Sequence, residues 1–270
     1  MAKLFSLASW NVEHFKGEPQ RVDRVVAFLK EQNPDVLGLY EVEGKVVFSQ
    51  MVDNFPGYQF HITEGPQTQE ILVGVRNGLT AFFTQRVEFK SGNPSLRPGA
   101  LLTLHFGNDN YSLLFLHTKS SGTPVGLGLR DDMFNRAFKL KKTLDKVAGG
   151  KGKANFMFMG DLNTMGMTYP FDKSIDADIE LRKLENEASK VKMRRLGKSS
   201  KTWWNGPKSS YPKSDLDQVV ASEQLQFRKF AGGVDVDVRG WPKLSTPAEQ
   251  GDWIKKHSDH GLLYLVVEKP

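Results

Sequence analysis

Nine polar residues of this 270-residue chain stand where short apolar runs begin or end, and their types suit one kind of chemistry. Asn11 and Glu13 follow the run closing at Trp10, and Glu41 follows the run closing at Tyr40. His117 ends the run 111–117, and Asp161 and Asn163 follow the run 155–159. Asp217 opens the run 216–221, and Asp259 and His260 precede the last run. Five of the nine are carboxylates, two are amides and two are imidazoles. Gathered without any thiol, such groups suit a hard, oxygen-preferring cation, Mg²⁺ or Mn²⁺, rather than Zn²⁺. Such an ion keeps part of its water and takes phosphate oxygens from a substrate. The chain has no cysteine, which excludes disulfides and thiolate chemistry. Taken singly, each residue reads as a turn or cap residue, His117 as a satisfied strand histidine and Asp217 as a bulge carboxylate. The ordered set from 11 to 260 points to catalysis instead.

The elements that must position these groups are many short strands with a few helices between them. Strands are predicted at Leu4–Trp10, Val36–Tyr40, Ile71–Arg76, Thr80–Phe89, Ala100–Phe106, Tyr111–His117, Asn155–Met159, Leu216–Ala221 and Leu262–Val267. The turn Gly107–Asn110 joins two of them as a hairpin. Helices are predicted after Pro19, with Val22, Val25, Val26 and Leu29 at helical spacing and Asn33-Pro34 as a stop, and over Lys45–Phe55, Asp131–Val147 and Asp176–Arg195. Gly197 is read as the stop of the last. No repeat, low-complexity tract or linker divides the chain, so one α+β domain over 1–270 is expected. Gly126-Leu127-Gly128-Leu129-Arg130 lacks the third glycine of a dinucleotide fingerprint, because position 131 is Asp. It reads equally as a substrate-side loop, with Arg130 or Arg136 meeting a phosphate, or as a plain helix-entry loop.

Composition limits the remaining choices. A 39% apolar and 25% charged content is that of a globular chain. No apolar stretch approaches the ~20 residues of a membrane span, so no membrane insertion is expected. The N-terminus shows neither a charged leader nor a cleavage site, and a cytoplasmic address is the default. The net charge is +6, and the stretch Arg182–Lys213 alone holds ten Lys/Arg against Glu185 and Glu187, leaving −2 for the rest. A localised positive field implies an anionic partner. Lys190, Lys192, Arg194, Arg195 and Lys198 are the candidate backbone contacts. Trp203 is expected in the core, and Trp204 is expected to be exposed, where it could stack on a base. His14, His61, His105 and His257 read as surface or packing residues.

The set Ser9-Trp10-Asn11-Val12, Leu39-Tyr40-Glu41, Leu113–His117, Met159-Gly160-Asp161-Leu162-Asn163, Leu216–Val220 and Ser258-Asp259-His260-Gly261 resembles the endonuclease/exonuclease/phosphatase superfamily over essentially the whole chain. That superfamily includes pancreatic-type deoxyribonucleases, apurinic-site endonucleases, inositol polyphosphate phosphatases and bacterial sphingomyelinases. The resemblance implies an α+β, four-layer α/β/β/α sandwich of two packed mixed sheets flanked by helices, with in-line, Mg²⁺-assisted hydrolysis at one end. It implies Glu41 as principal metal ligand with Asn11, Asp259 as a further metal-side carboxylate, and Glu13 as an outer-sphere group. It implies Asp161 positioning or deprotonating the attacking water, Asn163 bonding the scissile phosphate, Asp217 orienting His260, and His117 meeting the phosphate or the leaving oxygen. Either His260 or Asp161 can serve as base. Two departures stand out: Gln218 follows Asp217 where many members carry Tyr, and His117 stands where the apurinic-site branch carries Tyr.

The expected function is therefore that of a metal-dependent nuclease acting as a monomer on DNA or RNA. A phosphatase or phospholipase-type enzyme for inositol phosphates or lipid headgroups is the alternative. A non-catalytic binding module on the same fold is a third reading, against which every carried-over position holds a chemically competent residue.

Overall fold

The computed structural model describes residues 2–65, 69–94 and 96–269. From the N-terminus come β1 (Lys3–Phe15), α1 (Pro19–Gln32), β2 (Val36–Glu43), α2 (Lys45–Asn54), β3 (Tyr58–Ile62), β4 (Gln69–Arg76) and β5 (Thr80–Arg86). Then follow β6 (Gly99–Phe106), β7 (Asp109–Phe115), α3 (Pro124–Val147), β8 (Asn155–Asp161) and α4 (Ala177–Lys190). The chain continues through β9 (Met193–Arg195), β10 (Asp217–Ser222), β11 (Gln226–Phe227), β12 (Asp237–Arg239), α5 (Pro247–Lys256) and β13 (Leu262–Glu268).

Two compact units result: Met1–Leu79 with Gly197–Ser214 and Gln226–Pro270, and Thr80–Leu196 with Asp215–Leu225. The first unit holds a sheet in the order β11-β13-β1-β2-β4-β3, with β12 also on β13. β1 and β2 are parallel and joined by α1, whose Val22, Val25, Val26 and Leu29 enter one core with Ala8, Trp10, Leu37 and Leu39. The second unit holds the order β5-β6-β7-β8-β10-β9. Here β7 and β8 are parallel across α3, whose Met133, Phe134, Ala137 and Phe138 share a core with Leu114, Phe156 and Phe158. Each ring so buried stabilises its unit by about 1.5–3 kcal/mol.

Strand direction is what gathers the chemistry. In the first unit the parallel strands β1 and β2 end together, which brings Asn11 beside Tyr40 and Glu41. β13 runs against β1, so the residues that open it, Asp259 and His260, start at the same end. In the second unit β7 and β8 end together at His117 and Asp161, and the antiparallel β10 begins there with Asp217.

Several expected boundaries shift, each for a local reason. The hairpin turn is only Gly107-Asn108, because Phe106 already pairs with Asp109. The strand predicted to reach Phe89 stops at Arg86 and passes into a 3₁₀ turn over Val87–Lys90. The glycine stretch before Asp131 is helical, not a loop: Thr123 caps the Gly126 amide and Pro124 opens α3. The helix expected to reach Arg195 stops at Lys190, because Lys192 takes a left-handed φ of 58° and Met193–Arg195 pairs with β10. The basic stretch at 176–213 is thus helix, strand and loop in turn. β3 and α5 were not foreseen.

Candidate active site

In the first unit, Asn11 is fully buried; its Nδ2 donates to Glu41 Oε1 at 3.1 Å and its Oδ1 accepts the Glu13 amide at 2.9 Å. Glu41 also accepts the His14 amide through Oε2 at 2.9 Å. Glu13, His14 and Glu41 have φ of 43°, 46° and 60°. Each such non-glycine residue costs of order 1–3 kcal/mol and persists only where its surroundings impose it. Irregular registers mark the same places, between Asn11 and Phe15 on β1 and between Leu39 and Val42 on β2.

The turn carrying Asp259 and His260 is held from several sides. Ser258 Oγ donates to Asn11 O at 2.7 Å and accepts the His260 amide at 3.0 Å. Trp10 Nε1 donates to His260 O at 2.9 Å. Trp203 Nε1 donates to Asp259 Oδ2 at 2.7 Å, and Trp241 Nε1 donates to the Asp259 carbonyl at 3.0 Å. The Asp259 amide in turn donates to Glu13 Oε2 at 3.3 Å. Burial raises the Glu13 carboxyl above its ordinary value, the neighbouring Asp259 charge adds to this, and Arg21 and His260 oppose it. An open cavity of about 700 Å³ borders Glu13, with His14, Arg21, Lys208 and Lys255 in its wall.

In the second unit, His117, Asp161, Asn163 and Asp217 are each no more than 3% exposed. His117 Nε2 lies 3.5 Å from Asp161 Oδ2, and Asp161 Oδ1 accepts the Asn163 amide at 3.1 Å. Asn163 has a left-handed φ of 48°, and its Nδ2 donates to Thr118 O at 3.3 Å. Asp217 stands directly opposite Asp161 in the β8–β10 ladder, with carboxylate oxygens within 4.8 Å. Gln218, which stands where many members of the resembled superfamily carry Tyr, is fully buried. Its Nε2 donates to Thr164 Oγ1 at 3.0 Å and to Asp215 O at 2.6 Å, tying the start of β10 to the segment after Asn163.

The expected nucleic-acid contacts fare unevenly. Arg130 does not reach the surface, which corrects that expectation. Its guanidinium is fully buried, ion-paired to Glu180 and donating to the carbonyls of Lys119, Ser121 and Gly166. Arg195 is half-buried and binds Glu185, and Lys190 is exposed and paired with Glu187. Arg194 and Lys198 are half-buried, and Lys192 is exposed near Glu223. Met193 pairs with Ser222, so Lys192 lies at the end of β10 away from Asp217, five residues or ~17 Å along the strand. Trp204 is half-buried against Trp241, with Lys213 Nζ 4.4 Å over its ring. Of the other histidines, His14 and His105 are exposed, His61 is half-buried, and His257 stacks on Trp253.

Trp203, expected in the core, is half-buried and bonded to Asp259, so it belongs to the site's support. Arg21 was not singled out at all. Its sequence signal is a cation in the first turn of a helix, where the dipole disfavours positive charge unless a partner waits elsewhere.

Among the described residues, Glu41, His117, Asp161, Asp217 and His260 are acidic or imidazole groups able to hold a metal ion. Their donor atoms, with those of Asn11, Glu13 and Asp259, are oxygen and imidazole nitrogen only, which fits a hard divalent cation. Among the described residues, no helix is long and apolar enough to cross a membrane.

The model of the Endonuclease/Exonuclease/phosphatase family matches residues 8–260. A truncated TDP2 from Caenorhabditis elegans is 17% identical, with a TM-score of 0.67 over 98% of this chain and 98% of that one. A D. rerio TDP2 complexed with a single-strand DNA product is 14% identical, with a TM-score of 0.64 over 98% and 99%. A mannosyl-6-phosphatase from Bacteroides thetaiotaomicron is 16% identical, with a TM-score of 0.62 over 98% and 100%. These likenesses establish the fold, the four-layer α/β/β/α sandwich that the resemblance implied. Among curated proteins no sequence matches significantly.

Proposed function

The chain belongs to the endonuclease/exonuclease/phosphatase family, whose enzymes hydrolyse phosphate esters, and from that premise we propose that it is a divalent-metal-dependent phosphodiesterase that cleaves nucleic-acid backbones. The family match runs through both units, so we take 1–270 as one functional domain. The observation that carries the reading is Asp161, buried with Asp217 opposite it and His117 Nε2 at 3.5 Å. The two carboxylates face one another from paired strands of one sheet. Asp161, or His260, accepts the proton of the attacking water. Asn163 donates to a non-bridging phosphate oxygen, and His117 donates to the phosphate or the departing oxygen. Glu41 and Asn11 would hold Mg²⁺ or Mn²⁺, and Asp259 and Glu13 would add negative charge on that side. When bound, the cation neutralises charge that gathers on the phosphate oxygens in the transition state.

A nucleic acid is favoured by the positive stretch Arg182–Lys213 and by the TDP2 likeness, one of whose structures holds single-strand DNA. Lys192 stands too far along β10 from Asp217 to meet the scissile phosphate, so only a polymeric substrate would reach both Lys192 and Asp217. A second reading, hydrolysis of a sugar or inositol phosphate, is favoured by the ion pairs that occupy Lys190 and Arg195. A cleavage panel decides between them: supercoiled plasmid, single-stranded DNA, RNA, abasic duplex, sphingomyelin, inositol phosphates and a sugar 6-phosphate, each with Mg²⁺ and with EDTA. Metal-dependent turnover of the nucleic acids is expected. Turnover of the small phosphates alone would replace the nuclease reading, and turnover unaffected by EDTA would remove the metal.

A further inference from the structure

We propose that Arg21 is a positioning residue for the metal side of the site, clamping the segment 12–14 to the turn 257–259 so that Glu13 and Asp259 face the cation together. The proposal rests on the metal reading above. Arg21 is the third residue of α1, in a first turn that contains no acid. A cation at the positive end of a helix is locally unfavourable, so its placement needs a tertiary reason.

The guanidinium supplies one. Nη2 donates to Val12 O at 2.5 Å, to Glu13 O at 2.6 Å and to His257 O at 2.8 Å. Nη1 donates to His14 O at 3.1 Å and Nε to His257 O at 3.3 Å. Along a regular strand successive residues alternate in direction, so three consecutive carbonyls do not converge on one cation. They do here because Glu13 and His14 are left-handed, with φ of 43° and 46°. The guanidinium thus binds the backbone conformation that is otherwise costly. The fourth carbonyl, from His257, ends α5, where carbonyls lack helical partners and the dipole is negative. Two residues later the Asp259 amide meets Glu13 Oε2 at 3.3 Å, which closes a ring of contacts through Arg21, Glu13 and Asp259. A lysine would keep the charge but not the planar fork that serves four carbonyls at once.

The test is Mn²⁺ binding to full-length protein by electron paramagnetic resonance, together with amide exchange by mass spectrometry, for Arg21→Ala and Arg21→Lys. Arg24→Ala is the control, because Arg24 Nε meets the Lys256 carbonyl from the same helix. Loss of an outer-shell support typically weakens metal binding 10–100-fold, so Arg21→Ala is expected to bind Mn²⁺ about tenfold or more weakly. Exchange should quicken in 12–14 and 257–260, and millimolar guanidinium should restore Mn²⁺ binding to Arg21→Ala. Arg24→Ala should bind as wild type. Wild-type Mn²⁺ affinity in Arg21→Ala, or an equal loss in Arg24→Ala, would overturn the proposal. Should Arg21→Ala fail to fold, Arg21→Lys carries the same comparison. A wild-type protein that binds no Mn²⁺ would sink the metal reading instead. Exchange then decides for Arg21, since unchanged protection at 12–14 and 257–260 would refute the clamp.

Discussion

Asp217 sits directly opposite Asp161 across the antiparallel pair of β8 and β10, so the two carboxylates project from the same face of one sheet. The arrangement follows from strand direction, since β8 ends where β10 begins.

If these carboxylates share one proton-handling task, Asp161→Asn and Asp217→Asn should each lower kcat by ~10²-fold or more, with KM little changed. The double variant should lose less than the product of the two effects. Steady-state kinetics on bis-p-nitrophenyl phosphate, with Tm measured in parallel, test this. Strictly multiplicative losses would mean that the residues act independently.

Glu41→Gln keeps the shape of a side chain that accepts from Asn11 Nδ2 and the His14 amide but removes its charge. Activity should fall by orders of magnitude, and higher Mg²⁺ or Mn²⁺ should partly restore it. A Mn²⁺ titration of activity that superimposes on wild type would rule out Glu41 as the principal ligand.

Stability, by contrast, should depend on a pair remote from the chemistry. Lys141 is fully buried and its ammonium donates to Asp145 in the next turn of α3. Asp145 also accepts the amides of Gly152 and Ala154 at 3.0 and 2.9 Å. Burial alone would raise the Asp145 carboxyl, yet Lys141 and these amides hold it below its ordinary value. Asp145→Ala strands a buried ammonium and should destabilise by about 3–5 kcal/mol in urea unfolding. Specific activity of the remaining folded protein should not change.

His257 predicts a pH dependence. Burial lowers its pKa from the ordinary 6.5, and the charges of Arg24, Lys256 and Arg21 act in the same direction against the Trp253 carbonyl. The unfolded chain then takes up the proton more readily than the folded one. Stability from this group is complete above pH 6.5 and is lost as the pH falls through the folded value. His257→Gln should flatten the decline of Tm between about pH 7 and 5, and scanning calorimetry at stepped pH would reveal an unchanged slope if His257 is not responsible.

Lys190→Gln with Lys192→Gln addresses the substrate. If a polymer lies along the second unit as far as these residues, its affinity should fall and log K should vary less steeply with log salt, by roughly 0.9 per lost duplex contact. Turnover of a small diester should stay at the wild-type level. Unchanged affinity and slope would favour the small-phosphate reading.

The placement of Asn11 beside Glu41, and of Asp217 opposite Asp161, was legible because short apolar runs mark where each strand stops or starts. Asn11, Glu41, Asp161 and Asp217 all lie where an apolar run meets a polar pair. The runs themselves were legible wherever burial on both faces left them continuous, as in β8 and β13. What escaped depends on partners distant in sequence. Arg21 looks like an ordinary helix cation until the carbonyl of His257 is beside it. Arg130 looked like a phosphate contact because nothing nearby announces Glu180, fifty residues later. α5, by contrast, carries a local signal: Thr246-Pro247-Ala248-Glu249 spells a capping box, and the structure forms both of its bonds. β3 is half-exposed along most of its length, which blurs the alternation that identifies a strand.

The pairing of β1 with β13 also has a consequence on the ribosome. Trp10 leaves the exit tunnel early, yet the carbonyl its indole requires belongs to His260, 250 positions later. At 5–20 residues per second that is a wait of roughly 12–50 s. Throughout it the central strand of the first sheet, and the Asn11 and Glu13 it carries, lack the neighbour that fixes them on one side. The span Thr80–Leu196, which supplies most of the second unit, emerges well before synthesis reaches β13. A nascent chain would therefore hold the parallel pair of β7 and β8, with His117 and Asp161 at its end, long before Asn11 and Glu13 gain the neighbour that fixes them.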